Sequence, residues 1–317
     1  MGLRKYIAVR LAVTIPLMLA VSVITFGLVK LTPGDPVSQL VALNPDVSAA
    51  EVAQLRDRYG LTGSIVDQYV RWITGVLQGD LGTVISRDAD VGSYILARLP
   101  ETLALGIFGW AIALIIAIPT GVYAAYKKDT LADTASRVFA LSGISLPNFW
   151  LGLMLILVFA LYLDLWPVLS PRKSLLSPEM LWYLILPGVT IGTAASANLM
   201  RVMRSSMAEE MNKEYVTAAR AKGLPERTVI LKHVLRNSLI SVVTLAAFLT
   251  SSIVAGSVVV ETVFAWPGLG RAFIGAISGR EIDLIMALTL FTGVVIILAN
   301  LLADIIYAVL DPRIRYD

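Results

Sequence analysis

Six apolar runs alternate with polar stretches along the chain, at 8–31, 101–125, 135–162, 181–203, 237–260 and 283–310. About 20 such residues, at 1.5 Å rise each, cross the roughly 30 Å hydrocarbon core of a bilayer. The pattern predicts an all-α membrane protein with six transmembrane helices, and an even number of crossings puts both termini on one side. Basic residues precede the first run, but it is longer than the apolar core of a cleaved leader and no small-residue cleavage site follows. It is expected to remain as the first helix.

A long polar insertion, 32–100, separates helices 1 and 2. In "SAAEVAQLRDRYG" Ser48 is placed to cap a helix, with Glu51 completing a capping box and Gly60 as the stop. In "SIVDQYVRWITGVLQGD" Ser64 caps a second helix carrying Ile65, Tyr69, Trp72, Ile73 and Val76 on one face. Such helices either lie in the membrane interface or pack over the ends of the spans, and packing is the expectation.

Composition agrees with the membrane assignment. The 317 residues are 57% hydrophobic and 15% charged, with a mean hydropathy of +0.76, whereas soluble domains carry about 25% charged residues. Basic residues supply the orientation. The N-terminal tail holds Arg4, Lys5 and Arg10, segment 126–137 holds three and segment 201–236 holds eight, against two in each of the short connections 163–180 and 261–282. The excess marks the cytoplasmic side. Both termini and the loop 204–236 are therefore expected in the cytoplasm, and 32–100 outside. Without duplicated halves or low-complexity tracts, residues 1–317 read as one domain.

Several chemistries are excluded. There is no Cys and a single His, His233, so thiolate metal sites and disulfides cannot form. No G-x-x-x-x-G-K-[ST] loop is present to hold a nucleotide, and no HExxH. "SGISLP" at 142–147 lacks the second glycine and nearby base of a serine hydrolase. No catalytic residue, cofactor or metal is expected in this chain, and no nucleic-acid partner. Membrane lipid surrounds it.

The stretch "EYVTAARAKGLPERTVILKHVLRN", 214–237, is polar and basic in a chain otherwise rich in apolar runs. Tyr215, Ala218, Ala219 and Lys222 share three- and four-residue spacing, so a helix from about Ala208 presents a small-residue face for close docking. Gly223 ends it. Pro225 suits the first turn of a new helix with Val229, Leu231, Val234 and Leu235 on its apolar side. By pattern alone this is either a loop made basic by topology or a docking element for a cytoplasmic partner.

"TAARAKG" resembles the coupling loop of bacterial ABC importer permeases, whose pattern is Glu-Ala-Ala, three residues, Gly, nine residues, then Ile-x-Leu-Pro. Ala218, Ala219, Gly223 and Leu235 match; Thr217 replaces the Glu, while Glu214 keeps a carboxylate on the same face. "LTPGDP" at 31–36, "GDLG" at 79–82, "SLPNFWLG" at 145–152, "VVVETVFAWPGLGR" at 258–271 and "LDPRIR" at 310–315 are similar to the peptide and nickel branch of that family. The resemblance implies half of a heterodimeric pore for dipeptides or oligopeptides, with a second homologous permease, two ATP-binding subunits that hold ATP and Mg, and an extracytoplasmic solute-binding protein. It makes Glu214, Tyr215, Ala218, Ala219, Arg220, Lys222, Gly223 and Leu224 the ATPase-coupling residues. Nickel or another small solute is the alternative cargo, and a non-transporting scaffold the alternative role.

Within the spans, "GVTIG" places Gly188 and Gly192 on one face with Ala195 for close helix approach. Asn237, Ser241, Thr244, Ser251 and Ala255, with Ser252 beside them, form a small polar stripe that is either pathway lining or a helix interface. Asp304 is an intramembrane carboxylate and hence a functional candidate, although its distance from the helix end also suits a structural role near the inner interface.

Overall fold

The computed structural model describes residues 3–31, 48–58, 62–167, 174–175 and 177–310. Its long helices are α1 (Leu3–Leu31), α5 (Leu99–Tyr126), α8 (Pro178–Glu210), α11 (Leu235–Val263) and α13 (Ile282–Leu310). Five spans are long and apolar enough to cross a membrane unbroken, and a sixth crossing requires a bent pair. That pair corrects the continuous third span expected over 135–162. Helices α6 (Leu131–Ser145) and α7 (Asn148–Leu155, continued by a π segment Ile156–Tyr162) meet at 104°. Pro147 is the cause: it offers no N–H to the preceding turn and holds Leu146 extended at ψ 124°.

The insertion contains α2 (Ala49–Arg58) and α3 (Ile65–Gln78). The expected capping box at Ser48 forms, and the cap at Ser64 is a second one. Glu51 N donates to Ser48 Oγ at 3.3 Å while Ser48 N donates to Glu51 Oε2 at 2.8 Å, and Asp67 plays the same part for Ser64. The bond to Ser48 holds the Glu51 carboxyl below its usual range. Gly60 lies outside the described residues. Tyr69 and Trp72 turn toward α1: Tyr69 Oη is 2.8 Å from Ser22 Oγ, and both rings pack on Phe26. Ile65, expected on that face, is exposed, because the side chains of α1 meet only the middle of α3.

Helices α5 and α8 make the most extensive pairing. On α5 the buried positions include Gly109, Ala113, Ala117, Gly121 and Ala125, a small-residue ridge at every fourth position. Facing it, α8 offers Gly188 and Gly192, and a Cβ on Gly192 would stand 2.8 Å from the Gly109 carbonyl oxygen. Backbones thus approach until only hydrogen fits between them, which is how helices adhere when lipid removes the hydrophobic drive.

At the end of the bundle away from residues 211–234, "ETVFAWPGLGR" forms a turn leading into α12 (Leu269–Gly279). Gly268 caps α12 without a side chain of its own. Glu261, fully buried, supplies what is missing: its Oε2 accepts from Arg271 N at 3.1 Å and its Oε1 from Thr102 Oγ1 at 2.9 Å. A carboxylate at a helix N-terminus satisfies the unpaired N–H groups there. Trp266 stacks on Tyr183 and donates to the Glu101 carbonyl at 2.9 Å, while Tyr183 donates to the Phe264 carbonyl. The hairpin β1 (Thr83–Val84) and β2 (Ala89–Asp90), following "GDLG" and leading into α4 (Val91–Leu96), docks at the start of α13, where Thr83 N donates to Asp283 at 3.3 Å.

Adding one methyl where backbones touch costs roughly 1–3 kcal/mol by overpacking. Gly192→Ala should therefore lower the thermal unfolding midpoint of the purified protein. Gly27→Ala, where a Cβ meets nothing within 4 Å, should leave it unchanged in the same melt.

Candidate functional site: the coupling loop and its mounting

Helix α8 continues beyond its apolar run to Glu210, so the loop helix does not begin near Ala208 as expected. After a turn at 211–213 comes α9 (Glu214–Ala221), and a second helix starts at Glu226. Lys213 caps α9 with its backbone alone, and Glu214 in the first turn complements the helix dipole. Gly223 has φ +75°. Its N–H donates to the Arg220 carbonyl at 2.9 Å and the Leu224 N–H to the Ala219 carbonyl at 3.4 Å, a Schellman closure that requires the left-handed conformation glycine adopts most readily.

The restart differs from the expectation in two respects. Pro225 occupies the cap itself, at ψ 137°. The following α10 (Glu226–Thr228) runs without a break through a π segment, Val229–Val234, into α11, so the loop's second helix is the base of the fifth span. In a π segment residues five apart align. Val229 and Val234 are accordingly buried together with Ile230, while Leu231, expected among them, is exposed.

Three attachments hold α9. Val216 and Ala219 bury against the π segment. Tyr215 Oη donates to Glu210 Oε2 at 2.7 Å, and Lys213 pairs with the same carboxylate. Burial and that bond push the Tyr215 hydroxyl up. Across the glycine break, Arg220 grips Glu226 with two bonds of 3.1 and 2.7 Å, and the pairing raises the guanidinium's pKa.

These attachments turn the docking face. Ala219 faces the chain's own core and Tyr215 is half-buried, so neither shares an open face with Ala218 and Lys222. The bulk of Val216 decides this, since it must bury and takes its neighbour one turn on with it. The free face is formed by Glu214, Thr217, Ala218 and Ala221, with Lys222 at its flank and Leu224 beyond, 38% exposed. It is small and mildly polar, rimmed by charge.

A support that sequence reasoning missed lies one and a half turns before the end of α8. Arg204 donates to the fully buried Asp133 of α6 through Nε at 2.6 Å and Nη2 at 2.8 Å. Arg137 adds a bond of 3.1 Å and Asp129 N another of 3.1 Å. Four donors satisfy the carboxylate, the condition under which a buried charge is tolerated. Only the i,i+4 spacing of Asp133 and Arg137 signals it in the sequence.

The remaining candidates separate. Asp304 forms an ion pair with Arg10 at 3.0 Å, joining the last long helix to the first. Thr244 donates to its own helix at Ile240 O, 2.9 Å, and Ser241 lies 3.4 Å from Ser206 on α8. The side chains of Ser251, Ser252 and Ala255 fall outside the described set. A mostly apolar cavity of about 290 Å³ lies between α5, α11, α12 and α13, with Thr102, Thr250, Ser257, Thr289 and Thr292 among its lining residues. Thr250 and Ser257 are seven apart on α11, the same spacing as Thr244 and Ser251, on an adjacent face.

Residues 117–316 match the family described as binding-protein-dependent transport system inner membrane component, and residues 3–106 match its N-terminal membrane component. The chain is 38% identical to the oligopeptide transport system permease protein AppB of Bacillus subtilis (strain 168), covering 98% of this chain and 99% of that one. It is 35% identical to the dipeptide transport system permease protein DppB of Escherichia coli (strain K12), again over 98% and 99%. Among solved structures, an amino acid ABC transporter with histidines aligns with a TM-score of 0.52 at 12% identity, over 68% of this chain and 93% of that one, which shows likeness of fold. The chain thus belongs to the binding-protein-dependent transport system inner membrane component family, as a multi-pass membrane protein.

Proposed function

We propose that this chain is the permease half of an ATP-driven importer for dipeptides or oligopeptides, and that α9 is the element through which ATP hydrolysis in separate subunits moves it. The observation that carries the reading is the mounting of α9. A helix of eight residues, exposed on one side, is fixed on the other to two long helices at once: to α8 through Glu210, and to α11 through the π segment and the Arg220–Glu226 bridge. A push on the free face is therefore delivered to both, and α8 carries α5 and α6 with it through the glycine contact and the Asp133–Arg204 bridge. A six-helix body rocked in this way against a second, homologous permease gives alternating access between them. The relatives' names support a peptide cargo. ATP and Mg belong to two ATP-binding subunits beneath the pair, and a solute-binding protein delivers cargo to the other face.

Gly223→Val would force a β-branched residue to positive φ at a cost of about 1–3 kcal/mol, rotating the free face relative to the bridge. In the purified complex, substrate-stimulated ATPase and uptake into vesicles should both fall severalfold while the complex remains assembled. Unchanged values for both would refute the coupling role.

The orientation is tested separately, and the absence of cysteine makes it simple. Of two single variants, Ser48→Cys should react with an impermeant thiol reagent in intact cells, and Ser205→Cys only after the membrane is opened. The opposite pattern would invert the topology and place α9 where no ATPase can reach it.

A further inference from the structure

At the end of the bundle opposite α9, three arginines from three separate elements converge on one cleft of about 750 Å³. Arg87 comes from the β1–β2 turn, Arg98 from the cap of α5 and Arg271 from the first turn of α12. Two of them lie over the ring of Tyr94, with Arg98 3.5 Å and Arg87 5.4 Å from its centroid. Arg98 Nη1 also donates to the Tyr94 carbonyl at 3.0 Å, and Arg271 Nη1 to the Ala265 carbonyl at 2.6 Å. These contacts fix the planes of the guanidinium groups but occupy only one N–H each of the five available. Among the described residues none of the three has a carboxylate within ion-pair distance. Glu281 is the one acid in the wall, and its Oε1 accepts from Ser86 N at 2.8 Å. The floor is Ala272, Gly275, Ala276 and Gly279 of α12, which leave the cleft open.

Three guanidinium groups face one acid in the wall, with Glu101 close to Arg98 and the buried Glu261 carboxyl at the backbone of Arg271, and an anion bound among the three would relieve the repulsion between them. A forked, oriented guanidinium matches a carboxylate with two parallel bonds. The volume is that of a small-molecule site, and the groups line walls rather than a flat patch. We propose that this cleft binds the terminal carboxylate of a peptide, a site at the mouth of the permease distinct from the mostly apolar cavity on the other side of α12. The proposal rests on the peptide reading above.

The test uses the full-length chain, purified with its native subunits in lipid nanodiscs, and the probes alanyl-alanine and its C-terminal amide, with binding measured by calorimetry. The acid should bind at least about tenfold more tightly than the amide, the effect of about 1.4 kcal/mol from one charge-assisted contact. Arg87→Gln should abolish the difference without moving the melting temperature, because no hydrogen bond of the fold depends on that side chain; Arg98→Gln should abolish it too, with a lower melting temperature because the bond to the Tyr94 carbonyl is lost. Equal binding of acid and amide overturns the proposal. So does inorganic phosphate displacing the peptide as effectively as acetate, or loss in Arg87→Gln only of association with an acidic extracytoplasmic protein. Uptake of alanyl-alanine by vesicles separates the two readings. Uptake with equal binding of acid and amide overturns the cleft alone, whereas charge-dependent binding without uptake upholds the cleft and overturns the importer.

Discussion

The backbone-to-backbone contact of α5 with α8 is the constraint on which the other arrangements depend. In lipid, two apolar helices gain nothing by leaving the hydrocarbon for each other, so association must come from close packing and polar bonds. Gly109 against Gly192 provides the first, and Asp133 with Arg204 provides the second at one end of the same helix. With α8 fixed at both places, its 33 residues form a rod of roughly 50 Å. The rod reaches from Tyr183, against the Trp266 ring, to Glu210, bonded to Tyr215 of α9. Motion imposed at one end is thereby carried to the other.

The two ends use different chemistry for the same purpose. At the α9 end, glycine in the left-handed conformation closes one helix, and an arginine–glutamate bridge restrains the next. At the Trp266 end, a helix whose cap has no side chain is completed by a buried glutamate from the preceding helix. Gly268 and Gly270 are required there because a Cβ would meet the Glu261 carboxyl at 2.5 Å at the first position and the Val258 backbone at 2.4 Å at the second. In both places a glycine lets the backbone approach or turn, and a charged side chain then fixes the result.

The spans, the capping box of Ser48 with Glu51, the cap at Ser64 and the helix break at Gly223 were legible in the sequence because each rests on local pattern: apolar length, residues three apart, or one required backbone conformation. What escaped depends on partners distant in the chain or on a change of helical period. The bend at Pro147 interrupts a run of spanning length whose only charged residue is Arg137 near its start, so length spoke for one crossing. The π segment moves Leu231 outward and Ile230 inward, which an α-helical count cannot anticipate. The free face of α9 was misjudged by about a quarter turn because small residues attracted attention while bulky Val216 set the burial. Asp133 and Arg204 are separated by 71 positions, and only Arg204 entered the sequence reading, as one basic residue of a loop. Of the three arginines of the opposite cleft, Arg87 and Arg98 passed unremarked in the insertion and Arg271 was counted only as a topology marker, for the same reason.

The central claim is that the free face of α9 meets an ATP-binding subunit while its other face is held by this chain. Cysteine scanning tests it directly, since the protein has no cysteine of its own. A short thiol-to-amine cross-linker applied to the purified complex should join Ala218→Cys and Ala221→Cys to the ATP-binding subunit and leave Val216→Cys, buried against the π segment, unjoined. Cross-linking from Val216→Cys with none from Ala218→Cys or Ala221→Cys would contradict the account.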